Sequence, residues 1–141
     1  MGEPKKVTTA ILDLANARDV EGMDRYLADD IKFVNPVTGP TDKNGMAGFH
    51  TALFAAFPDI HYRVDREIEH GDTAIFEATV TGTNTGPFMG QAPTGRKVEL
   101  PVAFVVDVAG GKAKVWHAYL DAATLQRQLA GETAAPRAAT A

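Results

Sequence analysis

Between residues 60 and 120, apolar side chains recur at every second position in four separate runs, a period that demands a sheet with one buried face. Ile60, Tyr62, Val64, Arg66 and Ile68 mark the first run, interrupted only by the arginine. His70-Gly71-Asp72 supplies a turn, and Ala74, Phe76, Ala78 and Val80 continue the alternation. Val98, Leu100, Val102, Phe104 and Val106 form a third row, opposite Glu99 and Asp107, before Gly110-Gly111 turns the chain into a fourth strand at 113–120. Successive side chains point to opposite faces of a strand, so every run offers one apolar side that must be covered.

The segments that can cover it carry a helical period. Val7, Ile11, Leu14 and Ala15 lie on one stripe. A second short helix follows, with Asp19 as its N-cap and Met23, Tyr26 and Leu27 on its apolar side. Ile31, Phe33 and Asn35 alternate on a short strand that Pro36 ends. A third helix is expected from about Asn44 to Pro58, with Met46, Phe49, His50, Leu53, Phe54 and Phe57 on one face. Asp121 opens a final helix with Leu125 and Leu129 inward, and Gly131 is its stop. The order is helix, helix, strand, helix, four antiparallel strands, helix. It predicts an α+β fold in which a strongly curved sheet closes over its helices as a cone and leaves a pocket between the layers. Residues 1–130 read as a single domain, and 131–141, without a periodic apolar pattern, as a mobile tail.

The connection Thr81–Arg96 is too long for a hairpin turn and is punctuated by Gly86, Pro87, Gly90, Pro93 and Gly95. Ordered loops of this length inside compact domains tend to serve function. Phe88 and Met89 at its tip are placed to close over a flat apolar ligand.

Composition removes several classes of function. The net charge is −4 and no basic cluster exceeds Lys5-Lys6, which argues against nucleic acid and anionic membranes as partners. No cysteine is present, so disulfides and thiolate chemistry are excluded. The four histidines lack ligand-type spacing, and no metal or other cofactor is expected. No run approaches the ~18 apolar residues of a membrane span, and the first residues lack a signal-peptide core and a myristoylation pattern. The expected location is cytoplasmic.

The pieces Asp30-Ile-Lys-Phe-Val-Asn-Pro36, Phe57-Pro-Asp59, Gly71-Asp72, Gly82-Thr-Asn-Thr-Gly-Pro-Phe-Met-Gly90, Pro93-Thr-Gly-Arg96, Gly111-Lys112 and Asp121 with Gln128-Leu129 occur in an order and spacing that cover residues 5 to 130. In these the chain resembles the SnoaL-like polyketide cyclases of the nuclear-transport-factor-2-like superfamily. The resemblance implies a cone-shaped α+β fold, a homodimer, and an enzyme without cofactor that closes rings by an intramolecular aldol reaction. That chemistry needs a base for a proton next to a carbonyl, and donors for the developing enolate oxygen. The resemblance maps the family's acid/base Asp onto Ala118, its companion His near Phe104, its helix-opening Asp onto Asp121, and its Asn onto Asn35.

His117, Asp121 and Asn35 are therefore the candidate catalytic residues. An imidazole titrates near neutrality, which suits His117 to acid or base work. Asp121 reads first as the cap of the last helix, and as a pocket base second. Strand alternation places His117, Tyr119 and Asp121 on one side, and Trp116, Ala118 and Leu120 on the other. The register of the resemblance turns the second set to the pocket, and a one-residue bulge would reverse it. Asn35 shares the phase of Phe33 and would meet a ligand carbonyl or a neighbouring backbone group. Candidate substrate-binding residues are His50, Phe54, Tyr62, Arg66, Phe88, Phe104, Trp116 and Tyr119, with Arg66 open to pairing with Glu67 or Glu77 and His50 to a core role. The expected substrate is a small hydrophobic, polyketide-like carbonyl compound, converted by a cyclase, isomerase or related lyase. A non-catalytic binding protein of the same fold is the alternative. An epoxide hydrolase ranks third, because the inward rows lack its paired acids and arginine.

Overall fold

The computed structural model describes residues 2–131, so the tail expected at 131–141 lies outside the described residues apart from Gly131. The elements are α1 (Glu3–Asn16), α2 (Val20–Asp24), β1 (Leu27–Asn35), β2 (Gly39–Thr41), α3 (Lys43–Ala56), β3 (His61–His70), β4 (Thr73–Thr83), β5 (Lys97–Ala109), β6 (Lys112–Tyr119) and α4 (Ala122–Leu129). The fold is α+β, as the alternation predicts. Six strands form one open sheet in the order β2-β1-β6-β5-β4-β3.

The helices begin where short acidic side chains satisfy their free N–H groups. Asp19 accepts from Gly22 N at 2.8 Å, Asp42 from Gly45 N at 2.9 Å, and Asp121 from Ala123 N at 3.0 Å. α1, α3 and α4 pack against the sheet. Phe76, Ala74, Val106 and Ala113 from the strands, and Ile11, Ala15 and Met46 from the helices, are sealed in the core between them. No helix among the described residues is long and apolar enough to cross a membrane.

Two features depart from the sequence reading. β1 runs from Leu27 rather than Ile31 and pairs in parallel with β6, while a short β2, absent from the apolar pattern, pairs antiparallel with its end. The second departure is in β3. Val64 lies opposite Ala78 and Arg66 opposite Glu77, so Asp65 is an extra, bulged residue. A bulge reverses the facing of all that follows. Ile68 consequently points outward and is 42% exposed, although it continues the apolar phase of Tyr62 and Val64. Glu67 and Glu69 turn to α1 instead: Glu67 pairs with Lys5 at 3.5 Å, and Glu69 accepts from the backbone of Gly2 and Lys5 at 3.1 and 2.9 Å.

Candidate functional site

A cavity of about 670 Å³, counting its open mouth, lies between the inner face of the sheet and α3. Its wall contains Phe33 and Asn35 from β1, Phe49, His50 and Leu53 from α3, Tyr62 from β3, Phe104 from β5, Trp116 and Ala118 from β6, and Leu120 just after it. Phe88 and Leu125 approach from the loop and α4. No Asp, Glu, Lys or Arg belongs to this wall among the described residues.

Each polar member has a definite setting. α1 ends in a side chain that completes the start of edge strand β3: Tyr62 N donates to Asn16 Oδ1 at 2.8 Å, and Asn16 Nδ2 donates to Tyr62 O at 3.1 Å. This pairing, with Arg18 bonding the Ile60 carbonyl at 2.9 Å, fixes the strand so that Tyr62 turns inward. The Tyr62 ring meets Phe104 edge-on at 5.8 Å, and Phe104 in turn packs on Trp116 at 5.1 Å. Burial pushes the Tyr62 phenol well above its ordinary value, so it stays a neutral O–H donor.

Asn35 is held by a turn. Its Oδ1 accepts from Val37 N at 2.8 Å and Thr38 N at 3.0 Å, and its Nδ2 donates to Thr38 Oγ1 at 2.9 Å. Both oxygen lone pairs are used, and one of the two amide hydrogens has no partner among the described residues. His50 is buried in α3 with Nδ1 at 2.9 Å from the Met46 carbonyl. Desolvation lowers its pKa to about 4, so the ring is neutral at physiological pH.

The remaining sequence candidates fall into two groups. Phe54 is buried beside His50 at 5.7 Å but supports the wall from behind rather than lining it. Phe88 is buried and meets Phe57 edge-on at 5.5 Å, whereas Met89 faces solvent. Arg66, His117, Tyr119 and Asp121 lie away from the cavity. The Asp65 bulge puts Arg66 outside, where its guanidinium grips Glu77 through two bonds of 2.9 and 3.1 Å. His117 and Tyr119 stack on the outer face at 4.0 Å with the hydroxyl 3.2 Å from Nδ1. Asp121 is an exposed helix cap, and bonds from the Thr124 hydroxyl and backbone hold its carboxyl below the usual range. Such an acid is a poor proton acceptor. β6 does contain a bulge, at Lys114, but it precedes Trp116 and leaves Ala118 inward.

The loop that roofs the cavity hangs on Asn84, a residue of the Gly82–Gly90 stretch that no sequence pattern marks as functional. Its buried amide donates to Gly86 O at 2.8 Å and accepts from Thr94 N and Oγ1 at 2.9 and 3.0 Å. Gly86 is required here, because a Cβ would collide with the Ala55 carbonyl. The only advance signal was an Asn amid Thr and Gly, residues that bond to nearby backbone in loops.

Residues 5–129 match the family model of the SnoaL-like polyketide cyclases. The chain belongs to this family. Its fold is similar to those of several solved members and relatives. AclR of Streptomyces galilaeus, described as a candidate hydroxylase, is 22% identical with a TM-score of 0.84, over 98% of this chain and 87% of that one. IdmH of Streptomyces antibioticus, described as a candidate polyketide cyclase, is 25% identical with a TM-score of 0.78, over 92% and 99%. An LEH-like epoxide hydrolase of M. tuberculosis is 19% identical with a TM-score of 0.73, over 92% and 90%. Comparison with curated proteins gives no significant match. In this SnoaL-like chain, Phe104 and Ala118 are direct cross-strand partners within the cavity wall.

Proposed function

We propose that this SnoaL-like protein is a cofactor-independent cyclase or isomerase in the cytoplasm, acting on a neutral, hydrophobic, polyketide-like carbonyl compound. The observation that carries this reading is a cavity wall composed of apolar side chains and neutral hydrogen-bonding groups. A charged ligand would lose its hydration there without a counter-charge, whereas a flat apolar one gains contact with Phe33, Phe104 and Trp116. A carbonyl oxygen can be met by the Tyr62 hydroxyl and the spare Asn35 N–H. Such donors bind more strongly as negative charge gathers on that oxygen, which is how fixed dipoles favour a transition state.

The wall contains no carboxylate, so positioning supplies the larger share of the rate. A chain folded in the cavity brings an enol carbon and a carbonyl carbon within about 3–3.5 Å of each other. The carbon–carbon bond forms, the enol proton passes to the new alkoxide, and the net change is an isomerisation. Family membership also supports a homodimer, which sedimentation equilibrium would test. A second reading, a binding protein of the same fold, is favoured by that same lack of a carboxylate.

The test is conversion of a panel of aromatic polyketones, followed by product analysis by NMR. Tyr62→Phe keeps the ring and removes the donor, and is expected to lower kcat roughly 100-fold. An unchanged kcat would remove Tyr62 from the chemistry. Ligands bound and recovered unchanged across the panel would establish the binding-protein reading instead.

A further inference from the structure

One polar atom of the cavity wall has no part in polarising a carbonyl: Nε2 of His50. The ring stands among three phenyl groups, with centroids 5.6 Å from Phe33, 5.3 Å from Phe49 and 5.7 Å from Phe54. Its Nδ1 lies 2.9 Å from the Met46 carbonyl, and a carbonyl only accepts, so Nδ1 carries the hydrogen. In a neutral ring Nε2 is then a bare acceptor. It has no partner among the described residues, and their one sealed and unpartnered side-chain polar atom is Thr8 Oγ1. Nε2 therefore opens onto accessible space; His50 borders a small hollow beside Met46, on the side of Nδ1, and shares the wall of the main cavity with Phe33 and Phe49. The Asn35 N–H and the Trp116 indole N–H in that wall are donors, and the Tyr62 hydroxyl can donate.

We infer that His50 Nε2 is the specificity-determining acceptor of the cavity, and that it selects ligands bearing a hydroxyl as well as a carbonyl. The inference rests on the reading of the cavity as the site of a hydrophobic carbonyl compound. An ether oxygen in place of the hydroxyl sets lone pair against lone pair, and a plain C–H leaves a buried acceptor unpaired, so both are rejected.

The test uses 6-hydroxy-2-acetylnaphthalene and its methyl ether, titrated calorimetrically into the intact protein at pH 7. The wild type is expected to bind the hydroxy ketone at least tenfold tighter. His50→Leu should bring the ratio near one, and His50→Gln, which returns an acceptor, should restore part of it. The preference should persist from pH 7 to 5 and collapse near pH 4 as Nε2 takes a proton. Phe33 from β1 and Phe49 and Phe54 from α3 surround the ring; Asp24 of α2 is the one charged group lining the small hollow that His50 also borders, and it is engaged by Lys43 at 3.6 Å. Equal binding of both ketones by the wild type, or an undiminished preference in His50→Leu, overturns the inference while leaving the cavity reading intact. If neither ketone binds, both fail. Should His50→Leu not fold, the wild-type pH profile decides.

Discussion

His50 shows how one residue can couple the chemistry of a site to the stability of the fold. Its imidazole titrates near 6.5 when exposed and at about 4 here, because burial disfavours the cation more than the Met46 carbonyl favours it. Between those two values the unfolded chain binds a proton that the folded chain refuses. Stability therefore falls as pH drops from about 6.5 to 4, by about 3 kcal/mol at most, and is flat above that window. Urea unfolding from pH 8 to 4 should show this slope, and His50→Leu should remove it. Carboxylates such as Asp59, whose pKa is lowered by bonds from Thr83, add their own losses only at lower pH. An unchanged slope in the variant would mean that the ring is not kept neutral by burial. The sequence placed His50 on the apolar stripe of its helix, which is correct. It could not show the tautomer, because that depends on which carbonyl the ring finds. Asn35 is similar: its inward phase was legible on β1, but not that the following turn occupies most of its amide.

At the level of elements, alternation identified β3 to β6 and failed at one inserted residue. The extra Asp65 changes no composition and hardly disturbs the apolar count, yet it sends Arg66 to Glu77 and brings Glu67 and Glu69 to the start of α1. Two acidic residues in one phase of a strand were the available hint, and they have meaning only once a helix N-terminus is known to lie opposite. The loop before β5 has the same character. Its glycines and prolines announced an ordered connection, while the residue that holds it, Asn84, derives its role from partners ten residues ahead and twenty-eight behind. Asn84→Ala strands the buried Gly86 carbonyl and takes the acceptor from the part-buried Thr94 N–H. The expected cost is about 2–3 kcal/mol, read as a lowered denaturant midpoint, with Phe88 freed from Phe57 and the roof of the cavity loosened. A midpoint equal to wild type would show that water replaces the amide without cost.

For the whole molecule, the sheet acts as a partition. Its inner face collects the aromatic wall and the neutral donors, and its outer face carries the charged pairs Arg63–Asp65 and Arg66–Glu77 with the stacked His117 and Tyr119. The sequence held both faces of β6 in a single string, Trp116-His-Ala-Tyr-Leu-Asp121, and its most reactive side chains are on the face turned away from the cavity. Side-chain reactivity is visible in a sequence, but sidedness requires the register against β5 and the position of every bulge. The position of Phe104 opposite Ala118 settles that register. The consequence is testable with His117→Ala combined with Asp121→Ala. The variant loses a stacked pair and the cap of α4, so its unfolding temperature should fall, while kcat on any substrate of the cavity should stay within about twofold. Circular dichroism separates the two effects by showing that the remaining fold is intact. Loss of turnover in a folded double variant would move the active site to the outer face and would leave the aromatic cavity as packing alone.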